Sequence, residues 1–377
     1  MKIELKGVTN GMKTKEEWLS FSRACGRVCY TEKEFEQVIG EQDKSGLIER
    51  TLRSGHHSIF EHINLTFYMS GIPKILAMIL NNERQYATSE KSARYTQMSG
   101  LPNEQKKIYD KWLNLLIPKI EEVYPIIADA ESKATAVTKL AQENARYMTS
   151  VFTPTKMVHT LNLRQLNFLM DQLGEYYQDK KYSKNRFENR LAQQIPDLVE
   201  QLEEFKISGL ENQTNRHLSM FNYDCYPEHF SDVYSTQYLL SFAGLAQAHR
   251  HRTITYNMLT PGENADYGFF LPSIVKASGL ADEWWDDLKE IAKIDYPQAQ
   301  MVQVRERGNL EDFRSKTILR LCGHAQYEIM RNTLKIAKKY AKEIGELENW
   351  ISPKCQRGRK CTGKCIWGGK MALERIV

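Results

Sequence analysis

The stretch that most constrains this chain is 246–257, which places Arg250, His251 and Arg252 side by side. It follows an apolar run, Tyr238-Leu239-Leu240-Ser241-Phe242-Ala243-Gly244-Leu245, which predicts a buried helix that ends in the basic cluster. Two guanidiniums beside an imidazole repel one another, so a fold holds them together where an anion lies between them. A solvated basic helix end, favoured by the helix dipole, is the plain alternative. A second, damaged form of the stretch begins at Asn82, about 170 residues upstream. An internal repeat of that length means duplicated domains rather than a solenoid.

The 377 residues allow two domains and a sizeable core. With 26% charged and 41% hydrophobic residues and a net charge of +5, the composition excludes a disordered chain. No run approaches the ~18 consecutive apolar residues of a membrane span, and Met1-Lys2-Ile3-Glu4-Leu5-Lys6 does not read as a signal peptide. A cytoplasmic protein away from membranes is expected. The seven cysteines are odd in number and scattered, the pattern of reduced thiols.

Residues 1–9 alternate weakly and predict an edge strand. Lys15 to Tyr30 reads as a helix, with Cys25 and Cys29 packing as small hydrophobes. Gly55-His56-His57-Ser58-Ile59-Phe60-Glu61-His62 gathers three histidines and a glutamate, but no fourth ligand stands at a zinc spacing, and no metal is assigned there. Ile63, Leu65, Phe67 and Met69 alternate with polar residues as a half-buried strand does. Gly71-Ile72-Pro73 ends that strand, and a helix continues to Leu80. Lys106 to Tyr124 is amphipathic, with Trp112, Leu116 and Ile120 on one side. Lys180 to Arg190 reads as a solvated charged stretch, and 206–231 has no definite assignment.

The helix ending at Leu80 leads into Arg84-x5-Glu90-x-Ser92-x-Arg94-Tyr95. The order Gly-His-x-Ser-x-Phe-Glu-His, strand, helix, then this loop resembles the flavin-dependent thymidylate synthases. Their signature is Arg-His-Arg-x-x-Ser-x-Asn-x-x-Ser-x-Arg. Aligned on Arg94, the first half has Asn82-Glu83 for the leading Arg-His, Ala87 for the middle Ser and Ser89 for the Asn. The second half retains Arg250, His251, Arg252, a hydroxyl at Thr255, and Asn257, but has Met258, Thr260 and Gly262 where Glu, Ser and Arg belong. Glu143-Asn144-Ala145-Arg146-Tyr147, sixteen residues before Asn162-Leu163-Arg164, also resembles the family. So does Leu319-Arg320-Leu321 followed by Ala325-Gln326-Tyr327-Glu328-Ile329, with Asn309 eleven residues before Arg320. The counterpart of Arg146 in the second half is expected at Gln300, and Gln172 is expected where the first half lacks the Leu-Arg arginine.

The resemblance covers roughly 47–195 and 228–330, each copy eroded where the other is intact. It implies an α+β fold of two tandem domains, 1–205 and 206–377, forming an intrachain pseudo-dimer with one complete site. Substrate binding would fall to Glu90, Lys91, Ser92, Arg94 and Arg146 from the first half, with Gln247, Arg250 and Arg320 from the second. Arg320 would be catalytic, stabilising negative charge on the pyrimidine. Ser58, Glu90, Asn162, Arg164, Asn167, Arg250, His251, Arg252 and Asn309 would hold FAD. The implied reaction is reductive methylation of dUMP to dTMP with methylenetetrahydrofolate and NADPH, in a homodimer of tandem chains. Hydroxymethylation or another modification of a pyrimidine nucleotide is the near alternative. A non-catalytic nucleotide- or RNA-binding relic is the distant one, though nucleic acid is not the expected partner.

Cys355, Cys361 and Cys365 lie in a basic tail, where they are able to bind zinc with Cys322 or His324 as a fourth ligand. The same tail also suits a folate's glutamates or a solvated end.

Overall fold

The computed structural model describes residues 1–41, 46–96, 98, 100–124, 130–262, 265–345, 351–358, 367 and 371–377. Among these residues the chain forms two four-stranded antiparallel sheets flanked by helices. The first contains β1 (Lys2–Val8), β2 (Asn64–Pro73), β3 (Tyr86–Glu90) and β4 (Pro154–Asn162) in the order β1-β2-β4-β3. The second contains β5 (His229–Phe230), β6 (Val233–Ser241), β7 (Thr255–Met258) and β8 (Met301–Asn309) in the order β5-β6-β8-β7. The strand order is the same in both. The weak alternation at the start of the chain is the edge strand β1, and Leu65, Phe67 and Met69 point into the core from β2.

The register makes the likeness specific. Ala87 pairs with Thr160, two residues before Asn162, while Thr255 pairs with Arg307, two residues before Asn309. Ser89 and Asn257 are likewise equivalent, as are Glu90 and Met258. Backbone pairing thus gives the same correspondence of residues as the signature does. Asn162 and Asn309 both end a strand and cap the next helix, Leu163–Lys180 or Leu310–Arg320. In each, the side-chain oxygen accepts the amide three residues on at 2.8 Å.

The apolar run 238–245 is not one helix. Leu240 pairs with Val302 in the sheet, and the Ser241 hydroxyl accepts the Gly244 N–H at 3.0 Å, capping a helix that runs only Phe242–Ala248. A continuous apolar run does not by itself separate a buried strand from a buried helix, and here it is both in turn. The helix predicted from Lys15 ends at Arg27, and a tight turn, Val28–Tyr30, follows that leaves Cys29 exposed rather than packed.

Compactness divides the chain differently from a cut near 205. One unit is Met1–Lys91 with Pro154–Ser219, and the other is Ser92–Thr153 with Met220–Val377. Residues 92–153 join the second unit because the helix Asn103–Val123 buries Trp112, Leu116 and Ile120 in a core with Trp284, Leu288 and Ile291. The Trp112 and Trp284 rings meet edge to face at 4.7 Å, and the Trp112 indole N–H donates to Asp287 at 2.7 Å.

Within this second unit, residues 149–151 lie antiparallel to 296–298. The Val151 N–H donates to the Tyr296 carbonyl at 2.9 Å, and the Gln298 N–H donates to the Thr149 carbonyl at 2.7 Å, around the bridge Ser150–Pro297. Asn309 lies 147 residues after Asn162, and the same interval separates Pro297 from Ser150. The two hydrogen bonds therefore exchange under that interval. The sixteen-residue spacing before the capping Asn is thus intact in both halves, and it sets Lys293, not Gln300, opposite Arg146. Lys293 is exposed beside Glu290 at 2.5 Å. By the same interval Leu173, fully buried, takes the place of Arg320 that Gln172 was expected to take.

A buried ion pair marks the second unit. Lys316 and Glu306 meet at 2.6 Å with both side chains fully buried, and the Tyr234 hydroxyl donates to Glu306 at 2.6 Å, joined by that of Tyr238. Burial pulls the Lys316 pKa down, while Glu306 pushes it back up. Removing one partner of such a pair strands a charge. Glu306→Gln should therefore lose about 3–5 kcal/mol, seen as a drop in the urea midpoint, while Glu306→Leu combined with Lys316→Met should recover most of it. A single variant with the wild-type midpoint would contradict this account. Among the described residues, no helix is long and apolar enough to cross a membrane.

Candidate active site

The second unit gathers Arg94 and Arg146 from the first half of the sequence with Arg250, Arg252 and Arg320 from the second. The Ser241 cap begins the helix Phe242–Ala248, and the turn after it presents Arg250, half-buried, and Arg252, exposed. That helix runs close to Glu328: a Cβ at Gly244 would fall 2.9 Å from its carboxyl carbon. Arg320 ends the helix Leu310–Arg320, with its Nε donating to the His251 Nε2 at 2.7 Å and its Nη2 to the Gln247 carbonyl at 3.0 Å. His251 can accept that bond only as a neutral imidazole. Burial, with Arg320 and Lys316 nearby, holds its pKa down at about 2.

From the first half, Arg94 projects from the turn after Ser92, whose hydroxyl accepts the Arg94 N–H at 3.3 Å. The Arg94 Nε pairs with Glu143, and its Nη2 donates to the His324 carbonyl at 2.9 Å. Burial works against the Arg94 charge, but Glu143 offsets it and the pKa ends above its ordinary value. Among the described residues no carboxylate pairs with Arg320: burial lowers it to about 10, and the neighbouring Arg94 and Arg250 charges add to the effect. It remains a cation at neutral pH. The cluster holds more positive charge than Glu143 neutralises, which suits an anion.

Arg146 gives the sharper signal. It sits in the turn Arg146–Met148 after the helix Ala130–Ala145, only 3% exposed, and among the described residues its Nε and Nη2 have no hydrogen-bond partner. A buried guanidinium without acceptors is costly unless a ligand supplies them. Its neighbour Tyr147 donates from its hydroxyl to Glu328 at 2.7 Å and accepts from the Gln326 amide at 2.7 Å. Glu328 also accepts the Ser241 N–H at 2.8 Å and the Ser241 hydroxyl at 2.6 Å. Glu143, Tyr147, Gln326 and Glu328 lie in runs read from the sequence, but carried no role there. Glu143 stands three residues before Arg146, one helical turn, and that spacing was the available clue.

The remaining expected residues lie mostly in the first unit. Ser58 is exposed on the turn His57–His62, and Arg164 pairs with Glu61 at 2.5 Å. The Glu90 carboxylate accepts from Lys74 at 2.6 Å and from Asn81 at 3.2 Å, and the Lys91 N–H donates to the Lys156 carbonyl. Asn167 is fully buried, donating to the Leu163 carbonyl and accepting the Ile207 N–H, so backbone groups occupy its amide. Where the first half lacks Arg-His, the Glu83 carboxylate accepts the Ser219 N–H at 2.6 Å and hydroxyl at 2.9 Å, and Asn82 donates to Ser219 at 2.8 Å. Cys361 and Cys365 fall outside the described residues. Among the described residues, no group of three His, Cys, Asp or Glu side chains is placed to hold a metal.

A family model described as thymidylate synthase complementing protein matches residues 15–173. A flavin-dependent thymidylate synthase of Campylobacter jejuni is 31% identical over 159 residues, 40% of this chain and 76% of that one. The enzyme of that name from Thermococcus onnurineus is 30% identical over 146 residues, 35% of this chain and 55% of its own. This chain belongs to the flavin-dependent thymidylate synthase family. It spans about half the length of the first curated relatives it matches. Among solved structures, thymidylate synthase X of Helicobacter pylori with FAD and dUMP is 19% identical, covering 55% of this chain and 95% of that one, at a TM-score of 0.32. The UMP/dUMP methylase PolB of Streptomyces cacaoi is 19% identical, covering 54% and 87%, also at 0.32.

The state of His251 is open to measurement. Its pKa is about 6.5 when unfolded and about 2 when folded, so below pH 6.5 the unfolded chain takes up a proton that the native state refuses. Its contribution to stability is complete above pH 6.5 and is lost as the pH falls towards 2. Nitrogen NMR of the ligand-free protein should show His251 neutral, with Nε2 unprotonated, at pH 5. An imidazolium signal at that pH would contradict the Arg320 geometry.

Proposed function

We propose that this chain catalyses FAD-dependent reductive methylation of dUMP to dTMP, taking the carbon from methylenetetrahydrofolate and the electrons from NADPH. The observation that carries this reading is Arg146, a buried guanidinium with two nitrogens lacking acceptors, in the same compact unit as Arg94, Arg250 and Arg320. A nucleoside monophosphate brings about two negative charges and several acceptor oxygens. Arg94, Arg146 and the Ser92 hydroxyl would bind that phosphate. Arg320, held in direction by His251 and the Gln247 carbonyl, would lie against the pyrimidine and stabilise negative charge growing there. Glu143 keeps Arg94 oriented, and Tyr147 fixes the turn that carries Arg146.

The residues present fit a flavin dinucleotide: Arg250 and Arg252 lie in one turn after the helix Phe242–Ala248, and guanidiniums are suited to bind a pyrophosphate. Asn309, in the same compact unit, is assigned with them to FAD. Asn167 acts by holding Asn162's helix rather than by touching the cofactor. When bound, the flavin supplies the hydride chemistry, while the protein orients the base and excludes water. The test is mass spectrometry of the product after incubation with dUMP, methylenetetrahydrofolate, FAD and NADPH. A gain of a methyl group is expected, and a hydroxymethyl product or none would overturn the assignment. In the same protein, dUMP should raise the melting temperature. Arg146→Met should abolish that rise without destabilising the ligand-free protein, because it removes a charge that lacks acceptors. A wild-type dUMP shift in that variant would refute the role of Arg146.

We also infer that the chain is a tandem duplication in which the two repeats make up a pseudo-dimer and one site. The shared strand order, the shared register and the exchanged hydrogen bonds around Ser150–Pro297 support this. The reciprocal site lacks its parts. Glu83 has the wrong sign for a phosphate and is engaged with Ser219, while Leu173, Met258, Thr260 and Gly262 supply neither charge nor paired donors. The expected assembly is a homodimer of tandem chains binding one FAD and one dUMP per chain. Titration of dUMP into FAD-bound protein, with mass from light scattering, checks it: two tight nucleotide sites per chain would overturn the single-site count.

A further inference from the structure

A groove of about 450 Å³ runs in the second unit between the end of β6 and the helix Tyr327–Ile344. Its floor is apolar, formed by Leu240, Phe270 and Met301, with Leu239 beside them 43% exposed. Its wall is a row of cations, Arg331, Lys335 and Lys338. Positions i, i+4 and i+7 share one helix face, with successive steps of roughly 6 and roughly 4.5 Å along the axis.

That row lacks what the other helices have. Lys106, Lys107, Lys289, Lys293 and Arg314 each face an acid three or four residues away. Among the described residues, Arg331, Lys335 and Lys338 have no carboxylate within ion-pair distance. Glu328 is three residues before Arg331 and lines the groove, but its oxygens are taken by Ser241 and Tyr147. A solvated helix face needs no apolar floor alongside it. A floor of hydrocarbon edged by regularly spaced, uncompensated cations suits a thin ligand with apolar segments and a carboxylate at each repeat. Through Glu328 and Tyr147 the groove adjoins the turn that carries Arg146.

We propose that this groove binds an oligo-γ-glutamyl chain, and, resting on the reaction proposed above, that the chain is the tail of the folate co-substrate. Each γ-linked glutamate adds a free carboxylate for one cation, while its methylene groups lie on the apolar floor. The test compares methylenetetrahydrofolate carrying one glutamate with the form carrying five. The wild-type protein should have a KM about tenfold lower for the pentaglutamate, and Arg331→Ala/Lys335→Ala/Lys338→Ala should bring that value up to the monoglutamate's. Equal KM values in the wild type would overturn the groove assignment while leaving the reaction intact. Absence of turnover with either form is a failure of the reaction itself. In that case equilibrium binding of pteroylpentaglutamate against pteroylmonoglutamate decides the groove, and no preference for the longer tail overturns it.

Discussion

The Glu328 carboxyl group is the joint on which the rest of the site depends. It is 4% exposed, and it accepts from the Ser241 amide, the Ser241 hydroxyl and the Tyr147 hydroxyl. One acceptor therefore fixes the start of the helix that leads to Gln247 and Arg250, and also the turn beside Arg146. Burial raises its pKa, and the donors from Ser241 and Tyr147 pull in the opposite direction. Each donor left without it would cost about 1–3 kcal/mol. Because Tyr147 comes from the first half of the sequence and Ser241 from the second, one buried group sets two otherwise unrelated segments in a common frame.

That frame holds charges which would otherwise separate. Arg94 is compensated by Glu143, but Arg320 and Arg146 are not compensated in the same way. Lys316 stands one helical turn before Arg320 and would add to the repulsion if Glu306 did not neutralise it at 2.6 Å. The equivalent positions in the first half are Leu169 and His159, so the ion pair belongs to one repeat only. Burial, with the Arg320 and Lys316 charges beside it, keeps His251 neutral and able to accept from Arg320, so the direction of that guanidinium depends in part on a lysine with no exposure to solvent.

Much of this was legible in the sequence because period and spacing carry it. The alternation of Leu65, Phe67 and Met69 marked a half-buried strand, the amphipathic stripe around Trp112 marked a long helix, and the two broken signatures aligned as the strand registers do. Three things were not legible. The split at Ser241 depends on a cap and a sheet partner, which an unbroken apolar run does not display. Assigning 92–153 to the second compact unit depends on Trp112 meeting Trp284, a contact 172 positions apart. Lys293 as the counterpart of Arg146 follows only from the pairing of Ser150 with Pro297, since the two residues share neither burial nor surroundings.

The division of losses between the halves has a physical logic. In a symmetric pair, each site draws one set of side chains from one repeat and a second set from its mate, so any change in sequence alters both sites at once. Once the repeats are joined in one chain, each can change alone. In the tandem duplication proposed above, Asn82-Glu83 in place of Arg-His would disable only the reciprocal site, and these two positions hold the Ser219 amide and hydroxyl through hydrogen bonds. Met258 in place of Glu and Leu173 in place of Arg fill core positions that a charged side chain would otherwise have to occupy with a partner. On that reading each lost functional group gives way to packing or to a structural hydrogen bond, while the proposed site keeps Arg146, whose Nε and Nη2 have no acceptor among the described residues.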